Sequence, residues 1–181
     1  MEIRKSTPSE EIEIGTVHAA AFGAPEGAVI AKLVLDLMAD ATACPWLSMV
    51  AAEEGRIVGH ILFTQAVVKV SAESVTARIL APLAVLPAAQ RMGVGERLIT
   101  EGLRHLKAAG VELVFVLGHP EYYPRSGFVP AGVLGFLAPY PIPAENAGAW
   151  MVQALCPGVT GRVTGKIQCA EALERPEHWR E

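Results

Sequence analysis

A mixed, mostly antiparallel α/β sheet with one parallel strand pair and helices on both faces is the fold class this sequence predicts. Three observations carry it. Two helical stretches stand near the N-terminus, a β-rich run folds back on itself at Glu54-Gly55-Arg56, and an apolar strand, a glycine turn, a helix and a second apolar strand then succeed one another. The last unit needs a crossover, so its two strands pair in parallel and right-handed, whereas hairpin strands run antiparallel.

The 181 residues suit one core. With 51% hydrophobic and 19% charged residues, apolar burial can offset chain entropy, which argues against extensive disorder. We expect a single domain over 1–170 and a charged C-terminal tail over 171–181, ordered only if Trp179 docks.

Ile3 begins a short edge strand. Ser9-Glu10-Glu11 can cap a helix over about 9–21, with Ile12, Ile14, Val17 and Ala21 on one stripe. Gly23-Ala24-Pro25 interrupts it, and a second helix reads from about Gly27 through Leu33, Leu37 and Met38. Leu47 to Glu53 and Ile57 to Val68 are the hairpin strands. A further turn is expected at Ser71-Ala72-Glu73-Ser74. Val75 to Val85 follows, apolar enough for a strand covered on both faces. A helix from about Gly93 to Ala109 places Leu98, Ile99, Gly102, Leu103 and Leu106 on its apolar face, and Gly110 stops it. Val111 to Leu117 is the second buried strand. Beyond Phe128 the signals weaken, with strands expected at Ala149 to Leu155 and Gly161 to Cys169.

A formal charge of −4 provides no basic stripe for a phosphate backbone, so we expect no nucleic-acid partner. The three cysteines, Cys44, Cys156 and Cys169, form no Cys-x-x-Cys pair. They read as small buried hydrophobes, with neither a disulfide framework nor a metal site expected. The polar start Met1-Glu2-Ile3-Arg4 and apolar runs well short of the ~20 residues of a membrane span lead us to expect a cytoplasmic protein with no membrane partner.

Gly93-Val94-Gly95 falls after a strand and before a helix, where free N–H groups and the helix N-terminus favour an anion. Read bare, the pair fits a plain helix-entry turn equally well. The dinucleotide fingerprint needs Gly or Ala where Leu98 stands, and no Gly-Lys-Ser/Thr follows Gly93, so neither familiar nucleotide motif is met.

What remains is Leu83-Ala84-Val85-Leu86-Pro87-Ala88-Ala89-Gln90-Arg91-Met92-Gly93-Val94-Gly95, which resembles the GNAT N-acetyltransferase superfamily and its Gln/Arg-x-x-Gly-x-Gly/Ala turn. A second segment, Tyr122-Tyr123-Pro124-Arg125-Ser126-Gly127-Phe128, looks like the family's aromatic-Tyr-x-x-x-Gly-Phe motif. The order of elements matches over roughly 1–130, and the loops and hairpin beyond resemble the YhbS-like branch. The resemblance implies a GNAT-like sheet whose parallel pair splays around acetyl-CoA as cosubstrate. It implies pyrophosphate contacts from Arg91, Gly93, Val94, Gly95 and Glu96, puts Gln90 and Met92 in the same cofactor-binding turn, and implies main-chain contacts to the pantetheine arm and thioester carbonyl from Leu83 and Val85. It makes Tyr123 the proton donor to the departing thiolate, a role chemistry supports, because a thiol of pKa near 8.5 leaves more easily beside a phenol of pKa about 10. Pro124 departs from the commonest form, since proline disfavours the α-region for the residue before it.

Acyl transfer needs the free amine, so the site should contain a proton acceptor. His60, His119, Glu121 and Glu26 are the candidates, along with a water relay. His119 and Glu121 follow the carboxyl end of a parallel strand. Glu26 lies in the loop that, in the family, walls the acceptor cleft. The expectation is an N-acetyltransferase acting on a small-molecule or peptide primary amine by direct attack, as a monomer or homodimer. A non-catalytic coenzyme A or acyl-CoA sensor and a partner-binding module are the alternatives.

Overall fold

The structure, a computed structural model, describes residues 1–69 and 73–180. Ser71 and Ala72, where the further turn was expected, lie outside the described residues. In chain order the elements are β1 (Glu2–Lys5), α1 (Glu11–Phe22), α2 (Glu26–Ala39), β2 (Leu47–Glu53), β3 (Arg56–Lys69), β4 (Ala77–Val85), α3 (Val94–Ala108), β5 (Leu113–Leu117), β6 (Val129–Pro130), β7 (Phe136–Leu137), β8 (Trp150–Ala154) and β9 (Gly165–Gln168).

The strands run in the order β1-β2-β3-β4-β5-β8-β6, while β9 pairs with the far end of β3 and with β7. Neighbours are antiparallel except β4–β5, joined through α3, and a two-residue parallel pair, β7–β9, that the sequence reading did not anticipate. The β2–β3 hairpin turns on Glu54 and Gly55, both with positive φ. That geometry matches the right-handed twist of the two strands.

Helices cover both faces of the sheet. On one, Ile14 and Val17 of α1 and Leu33, Val34 and Leu37 of α2 pack with Leu62, Ala66 and Ile79. On the other, Leu98, Ile99, Leu103 and Leu106 of α3 pack with Met49, Ile61, Phe63 and Leu80. Gly102 sets the approach of α3: a Cβ there would collide with the Phe63 ring. Each fully buried aliphatic or aromatic side chain contributes about 1.5–3 kcal/mol.

Two expectations need correction, and one condition is met. Ile12 is 85% exposed. Residues two apart on a helix do not share a face, and α1 buries Ile14, Gly15, Val17 and His18 instead. Cys44 is exposed and Cys156 half-buried, so only Cys169 behaves as a buried hydrophobe, its thiol pushed up to about 12 by burial. The charged tail does dock: Trp179 is 2% exposed, edge-on to Trp150 at 5.6 Å, and its ring N–H donates to the Leu173 carbonyl at 3.0 Å.

Candidate active site

The site begins with an irregularity in β4. Ile61 of β3 stands opposite Leu83, but Phe63 stands opposite Leu80, so Ala81 and Pro82 share the single partner Leu62. This is a β-bulge, the place where a proline without an N–H is tolerated within a sheet. Because side chains alternate along a strand, one extra residue reverses the phase. Ala77 and Ile79 face α1 and α2; after the bulge Ala84 faces that way, while Leu83 and Val85 join Leu80 on the α3 side.

The bulge also marks where the parallel pair parts. Its register ends at Leu80 opposite Val116, while β4 continues to Val85 and β5 stops at Leu117. The widening gap leads to the glycine turn. There the Gln90 side-chain amide donates to the Val85 carbonyl at 3.0 Å, tying the turn to the strand end. Arg91 and Gly93 take positive φ values of 62° and 77° and swing the chain into α3. Val94, Gly95 and Glu96 then form the first helical turn, whose N–H groups have no intrahelical acceptors. Arg91, Met92, Gly93 and Glu96 are exposed around it. A depression of about 530 Å³ borders this turn, lined by Gly93, Glu96, Arg97 and Thr100 among others.

The tyrosine segment closes over the same turn. The His119 carbonyl accepts from the N–H groups of Tyr122 and Tyr123 at 3.0 and 3.4 Å. Tyr123–Ser126 forms one 3-10 turn, with Gly127 at φ 92° ending it. Pro124 follows Tyr123 in this turn, so the longer helix of the commoner pattern is replaced by a short one. The Tyr123 ring is buried against Phe128, 5.7 Å between centroids, and its edge occupies the space a Cβ on Gly118 would need. Tyr122 is half-buried, and its hydroxyl lies where a Cβ on Gly95 would be. Burial raises the Tyr122 pKa first and the nearby Glu96 raises it further, Arg125 opposing, so the phenol stays protonated. Arg125 lies 3.9 Å from the Glu96 carboxylate. The placing of the Tyr122 hydroxyl over Gly95 was not read from sequence, where Gly95 itself was the available signal.

The four candidate proton acceptors do not converge. His119 and Glu121 are exposed just past the end of β5, and Glu26 is exposed at the start of α2. His60 is fully buried with both ring nitrogens engaged: Nδ1 with His18 Nε2 at 2.8 Å and Nε2 with the Ser48 hydroxyl at 2.8 Å. Burial pushes His18 down to about 3, and burial followed by His18 holds His60 well below its ordinary value. His18 and Ser48 were missed from sequence, although a histidine on the buried stripe of α1 was visible there. Among the described residues no group of three or more His, Cys, Asp or Glu side chains could hold a metal, and no helix is long and apolar enough to cross a membrane.

A family model described as an acetyltransferase (GNAT) domain matches residues 2–131. The chain is 49% identical over 167 residues to the uncharacterized N-acetyltransferase YjhQ of Escherichia coli, covering 92% of this chain and 90% of YjhQ. It is 32% identical over 146 residues to the uncharacterized N-acetyltransferase YhbS of the same organism, covering 80% and 83%. The crystal structure of Escherichia coli YhbS in complex with CoA superposes with a TM-score of 0.85 at 29% identity, covering 96% of this chain and 92% of that one. A Brucella melitensis GNAT acetyltransferase in complex with acetyl-CoA superposes with a TM-score of 0.73 at 32% identity, covering 95% and 97%.

Proposed function

The chain belongs to the GNAT acetyltransferase family, and from that premise we propose that it binds acetyl-CoA across the β4–β5 gap and transfers the acetyl group to a primary amine by direct attack. The observation that carries this is the α3 N-terminus, presented by Gly93 and Gly95 directly behind a strand that has left its parallel neighbour. First-turn amides and the helix dipole favour an anion there.

The N–H groups of Gly93, Val94, Gly95 and Glu96 hold the pyrophosphate, with Arg91 exposed beside them, Met92 bordering the turn and Gln90 fixing its shape. The main chain of Leu83 and Val85 runs along the pantetheine arm and polarises the carbonyl of the thioester, the activated acyl donor acetyl-CoA supplies. Tyr123 protonates the departing thiolate, on its position before Gly127-Phe128. A second reading gives that role to Tyr122, favoured by its hydroxyl over Gly95 and by a raised pKa that keeps the proton in place.

The acceptor is a small-molecule or peptide amine entering from the α1–α2 side, and the setting is the cytoplasm, with the protein a monomer or homodimer. Titration calorimetry with acetyl-CoA followed by thiol release over a panel of amines tests the reading. Binding with amine-dependent thiol release supports an enzyme; binding with no release on any amine supports a sensor; no binding removes both.

A further inference from the structure

A line of hydrogen bonds crosses the core away from the glycine turn. The Ser6 and Ser48 hydroxyls lie 2.6 Å apart, Ser48 reaches His60 Nε2 at 2.8 Å, and His60 Nδ1 reaches His18 Nε2 at 2.8 Å. The line starts half-buried at Ser6 and passes through β2 and β3 into α1, where His18 is fully buried. It ends on His18 Nδ1, a buried nitrogen without a partner. Leaving such an atom unsatisfied carries the full cost of its lost solvation, and a partner supplied by substrate would remove that cost.

The unpartnered end belongs to α1, on the face of the sheet that the reading above gives to the acceptor. His60 stands opposite Ala84, the one residue between Leu83 and Val85 whose side chain faces α1 and α2. Directly opposed Cβ atoms in an antiparallel pair lie about 5 Å apart. His18 is on the last turns of α1, its ring parallel to Phe22 at 6.4 Å, and the chain then enters the loop 23–25. His119, Glu121 and Glu26 are exposed and already solvated, whereas His18 Nδ1 is shielded from water.

We propose that Ser6, Ser48, His60 and His18 form a proton relay that takes the proton from the acceptor amine at His18 Nδ1 and releases one to solvent at Ser6; this rests on the acetyltransferase reading above. In the resting state His18 Nε2–H donates to His60 Nδ1, His60 Nε2–H to Ser48, and Ser48 O–H to Ser6. As His18 Nδ1 gains the amine proton, each donor passes its own proton one step outward. One proton enters and one leaves, and both rings end in the other tautomer. No lasting charge is stored, which suits two histidines that burial keeps neutral.

The test is Ser48→Ala, which cuts the line away from both histidines. We expect kcat to fall about tenfold, less than the 10²–10⁴ of a group acting directly, with the KM for acetyl-CoA unchanged. A curved dependence of kcat on deuterium content in the wild type should become linear, and Ser48→Thr should restore rate and curvature. Ser6→Ala gives the same readout from the half-buried end should Ser48→Ala fail to fold. A folded Ser48→Ala protein with wild-type kcat and curvature overturns the relay. So does nitrogen-15 NMR showing His18 protonated at Nδ1 in the resting protein. A wild type that releases no thiol with any amine overturns the acetyltransferase reading itself, and the relay with it.

Discussion

The Tyr122 hydroxyl rests over the Cα of Gly95, in the space any side chain at 95 would take. Gly95→Ala sets two effects against each other. Alanine gains up to ~1 kcal/mol over glycine inside a helix, whereas forcing a methyl into occupied space costs ~1–3 kcal/mol. The Tyr122 ring is braced edge-on by Tyr123 at 5.2 Å, so it cannot yield by bending at its tip. We expect net destabilisation of about 1 kcal/mol, measured by urea unfolding, and recovery in Gly95→Ala/Tyr122→Phe. A single mutant more stable than wild type would show that the tyrosine moves aside freely.

Gly93 sits at φ 77°, where an L side chain costs roughly 1–2 kcal/mol. Gly93→Asp adds a negative charge beside the proposed pyrophosphate position. Acetyl-CoA affinity should fall at least tenfold, about 1.4 kcal/mol, in a protein that circular dichroism shows to be folded. Unchanged affinity would remove the anion site from this turn.

Two adjacent phenols, Tyr122 over Gly95 and Tyr123 edge-on to Tyr122, are the candidate donors, and single deletions of oxygen separate them. Whichever tyrosine protonates the thiolate, its Phe variant should lose about 10²-fold in kcat, the low end for an acid because a thiolate is a tolerable leaving group. The other variant should stay within about threefold, with acetyl-CoA affinity held in both. Two variants both near wild type would mean that the thiolate leaves without help from either.

Folded His18 takes up its proton only at about 3, against 6.5 for a free histidine, so between those values the unfolded chain binds more protons. Stability contributed by the neutral imidazole is therefore full above pH 6.5 and lost as pH falls toward 3. The slope is up to ~1.4 kcal/mol per pH unit for one such histidine. His60 and His178, both lowered mainly by burial, act in the same direction. Glu10, held down to about 2 by Arg4, loses its own contribution only below its ordinary 4.5. Unfolding free energies at pH 7, 6 and 5 should thus decline steeply, and a flat profile would show that the histidines ionise within the fold.

Trp179→Ala should cost about 3–5 kcal/mol, the usual range for a buried tryptophan. It removes the ring that seals Trp150 and the hydrogen bond to Leu173. Thermal unfolding reads the loss; a change below about 1 kcal/mol would make the last turn an ornament of the surface.

Much of this architecture was legible because its signals are local. Alternation, the Glu54-Gly55 turn and the apolar face of α3 fix β2, β3 and α3 within a residue or two. The glycine turn was legible because glycine takes positive φ at Gly93 without strain and leaves room for the Tyr122 hydroxyl at Gly95. The Ser6–Ser48–His60–His18 line was not, because its members come from three separate elements and the segment after β1, and meet only when the sheet and α1 pack. The position of the Tyr122 hydroxyl over Gly95 was out of sight for a related reason: its aim depends on the 3-10 turn Tyr123–Ser126 that follows it. The short β6 and β7 are held by pairing with β8 and β9, not by their own composition.

The doubled residue at Ala81 and Pro82 works as a spatial frameshift. Ahead of it, β4 is written for its neighbour β5; beyond it, the same strand is read from the opposite side, with small Ala84 turned to the α1–α2 face and Leu83 and Val85 turned away. Deleting one residue there would restore a single reading frame. It would leave Ala84 opposite His60 and take out the bend that a bulge puts into a strand, so the parting of β4 from β5 depends on one surplus amino acid.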